Sequence, residues 1–146
     1  MSVVKYTGRF ASVEAGQLIT VAGKLANNPQ RFDVELTSGT NDDIQLHISV
    51  RFQEGQVVRN TRRTGVGWEK EERCENIFPH NSLMPFKRGG EFKIEIFVDP
   101  AAFFITVDEK PFCSFVHRLP IHTIQVVNVL RDVEAVYQVS RTSARK

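Results

Sequence analysis

The sequence is poor in cysteine. Cys74 and Cys113 are its only two, and neither stands in a C-x-x-C pair or a zinc spacing. That excludes a disulfide-stapled scaffold and a thiolate-built metal centre, and it suits a reducing compartment. Both are read as small buried residues rather than reactive thiols. Histidine is sparse too, and His80, His117 and His122 show no metal spacing, so they are expected to be structural. No run approaches the ~18 apolar residues of a membrane-spanning helix. The start, MSVVKYTGRF, has no basic segment followed by an apolar run, so no signal peptide is expected. No N-x-S/T sequon occurs. A net charge of +2 is too small to argue for a nucleic-acid partner. These absences point to a protein kept soluble in the cytosol.

What is present is an ordinary globular composition, with 146 residues, 41% hydrophobic and 25% charged. That length suits one domain able to bury a core without disulfides or metal. Eleven Phe against one Trp make Phe the main large core residue. About ten short strand-like segments recur with turn residues between them, most of them alternating and one, Glu69–Glu75, polar on both faces. They include Gln17–Gly23, Phe32–Leu36, Ile44–Phe52, Gln56–Thr61, Glu69–Glu75, Glu91–Val98 and Ile124–Leu130. No long helical periodicity is found, and one helical turn is expected near Leu119–Thr123. The expected class is all-β, a two-sheet antiparallel sandwich or barrel. Residues 139–146 are expected to form a loose basic tail. Arg59, Arg62 and Arg63 are expected to cluster in a loop, solvated or near an acidic glycan.

The segment IQLHISVRF carries the most chemistry. Alternation puts Leu46, Ile48, Val50 and Phe52 on one face and His47, Ser49 and Arg51 on the other. Successive members of the polar set are spaced by about 6.6–7 Å. The next strand offers Val58 and Asn60, and the one after offers Glu69, Glu71 and Arg73. The lone Trp68 sits where a glycine-bearing loop enters that third strand. A polyol suits such a set. Its hydroxyls donate and accept to His, Asn and Glu–Arg pairs, and an indole face covers the C–H patch of a sugar ring.

The order HISVRF, VVRNT, WEKEER resembles the carbohydrate-recognition signature of the galectins, which carry H-x-N-P-R, V-x-N and W-G-x-E-x-R on three successive strands. YTGRF, the Lys87-Arg88-Gly89 turn into FKIEIFV, and FVHRLP also look like family framework, so the resemblance covers nearly the whole chain. It implies a single carbohydrate-recognition domain over residues 1–146, a jelly-roll-like β-sandwich, in an invertebrate-like variant. It further implies β-galactoside binding without metal, cofactor or catalysis. His47 and Arg51 would take the galactose 4-hydroxyl region, and Asn60 the 6-hydroxyl. Trp68 would stack on the ring. Glu71 would bond the 6-hydroxyl and the next sugar and orient both arginines, and Arg73 would reach the adjoining sugar. Ser49, a candidate contact, stands where the family has Asn, Val50 where it has Pro, and Glu69 where it has Gly. Arg131 replaces a usual framework Gly and reads as a surface change. The shorter Ser arm is expected to weaken or redirect the site rather than abolish it.

The implied partners are galactose-containing glycans of the lactose or N-acetyllactosamine type on glycoproteins or glycolipids. Pairing of two copies through terminal edge strands is expected, with neither nucleic acid nor membrane insertion. The family also implies cytosolic synthesis with export by an unconventional route. Two other readings compete with the lectin. One is an interaction domain whose sugar site has decayed. The other is a small glycoside hydrolase, for which Glu71 with Glu69 or Glu54 would supply two carboxylates, although flanking arginines spoil a general acid.

Overall fold

The computed structural model describes residues 4–73 and 84–143. Twelve strands alternate with turns. They are β1 (Val4–Arg9), β2 (Gln17–Leu25), β3 (Arg31–Thr37), β4 (Ile44–Arg51), β5 (Gln56–Arg63), β6 (Gly67–Trp68), β7 (Glu72–Arg73), β8 (Glu91–Val98), β9 (Ala102–Val107), β10 (Lys110–Val116), β11 (Val126–Arg131) and β12 (Val133–Ser143). Among the described residues a single 3₁₀ turn, Ile121–Thr123, precedes β11, where the helical turn was expected.

The strands form two antiparallel sheets. One runs β1-β11-β3-β4-β5-β6, with β7 also on β5, and the other runs β10-β9-β8-β2-β12. Each buries the apolar half of its alternation between them. Phe32, Leu36, Leu46, Val50, Ile94, Ile96 and Phe103 are all essentially inaccessible. The Phe32 ring lies tilted 4.9 Å from Phe92 and edge-on 5.3 Å from Phe86, and the first contact ties β3 to β8 across the sandwich. The expected all-β sandwich is thus observed.

Three expectations need correction. Residues 139–143 are not a loose tail: they lie in β12 and pair with β2 from Val139↔Val21 to Ser143↔Gln17. Residues 144–146 lie outside the described set. Arg59, Arg62 and Arg63 are in β5, not a loop. Arg59 points inward, is 2% exposed and donates from Nη1 to the Ser114 carbonyl on β10 at 2.7 Å. A polar run with three arginines resembles a loop, but β4 pairing holds it as a strand. Finally, the third site strand is not continuous. It splits into β6 and β7, with residues 69–71 between them off the ladder, and Cys74 and Glu75 lie outside the described residues, as does His80.

His117 is structural, as expected. Its Nε2 bonds the Asp99 carbonyl at 2.7 Å, and its ring meets Phe103 edge-on. Cys113 is half-buried on β10. Arg131 is more than a surface change, because it closes a turn with φ at 78° and its Nε donates to the buried Asp33 at 2.9 Å.

Candidate functional site

The outer face of β4 does not meet water freely. His47 is 4% and Ser49 0% exposed, so these polar side chains must find protein partners. β3 and β5 supply them through register, with Glu35↔His47↔Asn60 and Asp33↔Ser49↔Val58 in two cross-strand rows. Glu35 bonds His47 Nδ1 at 2.9 Å. A carboxylate only accepts, so Nδ1 carries the hydrogen, and in that tautomer Nε2 is the acceptor.

Asn60 is fixed at both ends of its amide. Its Oδ1 accepts from the Thr61 amide at 2.7 Å and from Arg118 Nη1 at 3.2 Å, and its Nδ2 donates to the Glu69 carbonyl at 2.9 Å. One N–H remains to offer outward. Arg118 reaches this point from the loop after β10. It also donates to the Lys70 carbonyl and to Glu72, which anchors the irregular 69–71 segment.

Trp68 stands at the rim. Gly65 (φ 79°) and Gly67 (φ 107°) adopt a backbone region that side chains disfavour, and they turn the chain from β5 back into β6. The indole is 49% exposed, and its centroid lies 4.7 Å from the His47 ring. A large aromatic left half-exposed above a polar floor is free to cover a ligand.

Charged groups close the other end. Arg51 Nε donates to Ser49 Oγ at 3.1 Å, and Arg51 Nη2 lies 3.8 Å from Glu71. Arg73 bridges Glu71 at 3.0 Å and Glu54 at 2.9 Å. The hydrogen bond from Arg73 holds the Glu54 carboxyl below its ordinary pKa, while bonds to Glu54 and then Glu71 raise the Arg73 guanidinium. A carboxyl lowered on folding stabilises fully above its unfolded pKa and loses that effect as pH falls through the folded value. Thermal melts of Glu54→Gln should therefore lie slightly below wild type at neutral pH. The gap should shrink as pH falls below the ordinary glutamate value of about 4.3.

Together these groups surround an open cleft of about 480 Å³. Of the residues expected from sequence, His47, Arg51, Asn60, Trp68 and Glu71 line it. Ser49 and Arg73 do not: Ser49 lies beneath the floor and braces Arg51, and Arg73 braces Glu71 from outside. Arg31, Val58 and Glu69 complete the wall. Glu69, in place of the family glycine, pairs with Arg63. Arg31, Glu35 and Arg118 were not anticipated. Alternation in RFDVEL does place Arg31, Asp33 and Glu35 on one face, which is the signal that was available. Among the described residues no cluster of His, Cys, Asp and Glu could hold a metal ion. The cleft offers an aromatic plate, a ring acceptor, an amide donor and arginine–carboxylate pairs, which is recognition chemistry for a hydroxylated ring.

Comparison with known proteins agrees. The galactoside-binding lectin family model matches residues 5–141. The chain is 38% identical over 125 residues to a 32 kDa beta-galactoside-binding lectin of Haemonchus contortus, covering 83% of this chain and 41% of that protein. A Caenorhabditis elegans protein of the same description is 39% identical over 82% of this chain and 41% of its own length. The chain thus spans about two fifths of the length of these two relatives. Human galectin-7 is 30% identical, with 84% of this chain and 85% of that protein aligned. Among solved structures, Caenorhabditis elegans galectin LEC-6 superposes with a TM-score of 0.79 at 26% identity, covering 94% of this chain and 89% of that one. A human galectin-16 variant gives 0.78 at 28% identity, covering 98% and 99%. With the family model spanning residues 5–141, the chain belongs to the galactoside-binding lectin family.

Proposed function

We propose that this domain is a non-catalytic, metal-independent lectin for β-galactosides of the lactose and N-acetyllactosamine type. The observation that carries the reading is the half-exposed Trp68 standing beside His47 over a cleft floored by Asn60 and Arg51. In this reading the galactose ring lies against the indole. His47 Nε2 and Arg51 hold the 4-hydroxyl, one accepting and the other donating. Asn60 donates its remaining N–H to the 6-hydroxyl oxygen, Glu71 accepts from the same hydroxyl and from the next sugar, and Arg73 reaches that sugar from the cleft's edge.

The cleft carboxylates favour this over hydrolysis. Glu71 sits between Arg51 and Arg73, and Glu69 is paired with Arg63. Held by arginines in this way, both carboxylates are placed as hydrogen-bond acceptors for hydroxyls. Retention on lactose-agarose, eluted by free lactose and unchanged by EDTA, is the expected result. A flat glycan-array response from a cooperatively folded protein would instead favour an interaction domain, and release of free sugar would favour a hydrolase.

Ser49 makes a second prediction. Ser49→Ala removes the acceptor of Arg51 Nε without touching the cleft wall. The expected cost is about 0.5–1.5 kcal/mol, or roughly two- to tenfold weaker lactose binding by calorimetry. An unchanged affinity would show that Glu71 alone positions Arg51.

One open cleft per domain gives weak binding, so cross-linking needs more than one site. The edges β1 and β12 expose Val4, Tyr6 and Tyr137, and pairing of two copies there supplies a second cleft. Partners on this reading are galactose-bearing glycoproteins or glycolipids. The proposed location is the cytosol, with export by a non-classical route.

A further inference from the structure

The loop after β10 reaches the cleft through Arg118, and its backbone is fastened just before that residue. The His117 amide donates to the Ala101 carbonyl at 3.2 Å, and the His117 ring bonds the Asp99 carbonyl and meets Phe103 edge-on. The Arg118 guanidinium then lies over the ring of the buried Phe115, 4.6 Å from its centroid. A guanidinium on an aromatic face is held by packing as well as by charge. The side chain thus comes to the β5 side of the cleft from the opposite sheet, with 19% of it exposed.

There it makes three bonds. Nη1 donates to Asn60 Oδ1 at 3.2 Å and to the Lys70 carbonyl at 2.8 Å, and Nη2 donates to Glu72 at 2.9 Å. The first bond decides which way the Asn60 amide faces. Oδ1 accepts from Arg118 and from the Thr61 amide, while Nδ2 donates to the Glu69 carbonyl. Turned over, Nδ2 would confront two donors and Oδ1 would confront a carbonyl, so all three bonds would be lost. The other two bonds hold Lys70 and Glu72, the chain neighbours on either side of Glu71. Glu71 lies in the stretch between β6 and β7.

We propose that Arg118 is a positioning residue for recognition at C6 of the galactose. It lies outside the cleft wall, and it sets the Asn60 amide and the backbone around Glu71 so that both meet the 6-hydroxyl. The inference rests on the galactoside reading above, in which these two groups take that hydroxyl. The 4-hydroxyl contacts have braces of their own, because Glu35 holds His47 and Ser49 holds Arg51. Loss of Arg118 is therefore selective. Lysine does not replace it: one ammonium keeps the charge but cannot serve acceptors at both ends of a planar fork.

Calorimetry of the full chain against lactose and 6′-deoxylactose tests this. Wild type should bind lactose roughly tenfold more tightly, since removing the hydroxyl leaves an amide N–H and a carboxylate unpaired. In Arg118→Ala the preference should fall to about twofold or less through weaker lactose binding, with 6′-deoxylactose within about twofold of wild type. Arg118→Lys should lose the preference in the same way while keeping a cooperative melt, and it carries the test if the alanine variant does not fold. Equal weakening of both ligands would reduce Arg118 to a support of the fold and overturn the proposal. A wild-type preference kept in every variant that folds would overturn it too. Lactose binding by wild type with no preference over 6′-deoxylactose overturns recognition at C6 and leaves the lectin reading intact, and binding of neither ligand overturns both.

Discussion

Replacing Trp68 with alanine is expected to abolish retention on lactose-agarose while the protein stays folded. The indole supplies the exposed aromatic plate of the cleft, and covering one sugar face removes apolar area from water on both partners. The loss is about 2 kcal/mol, or roughly thirtyfold in affinity, enough to release a weak lectin from a column. The fold should notice little. Trp68 is half-exposed on the two-residue strand β6, outside the core cluster, so the stability change should stay below about 1 kcal/mol. Retention equal to wild type would remove the indole from the site and undo the central assignment.

Phe32→Ala has the opposite profile. Phe32 is fully buried, packed against Phe86 and Phe92, and it faces away from its chain neighbours Arg31 and Asp33. Truncation leaves a cavity at the centre of the sandwich and should cost about 3–5 kcal/mol. For a domain of this size that lowers the melting temperature by roughly 10–15 °C. Lactose affinity of the fraction still folded should stay near wild type, because the cleft lies on the other face of the sheet. A melt within two or three degrees of wild type would mean that the core collapses around the gap.

The contrast follows from how the chain encodes each part. The two-sheet fold was legible because alternation in segments such as EFKIEIFV survives into β8 with every second residue buried. The cleft was legible where its residues project from one strand, as His47 and Arg51 do, or where the family signature marks them. What stayed hidden depends on register and on distant loops. Glu35 matters because it lies opposite His47, and no local pattern states which strand is its neighbour. Arg118 is about sixty residues beyond Asn60 in sequence, and only the folded loop brings them together. Ser49 was legible as a departure but not as a buried brace. Its burial comes from β3 on one side and β5 on the other, not from its own strand. Arg59 misled because three arginines in a polar run look solvated, while the interior of this sandwich takes one of them in and holds its Nη1 on a backbone carbonyl.

Strand β4 carries core and cleft on opposite faces, so it tolerates change unevenly. Substitution at 47, 49 or 51 edits what is recognised without touching the interior, and substitution at 46, 48 or 50 repacks the interior without altering recognition. Adding or deleting one residue does neither separately. It exchanges the two sets beyond the point of change, sending arginine and histidine inward and leucine and valine into the cleft. Diversification of the cleft is therefore expected to proceed by replacement along β4, with changes in length confined to the turns that flank it.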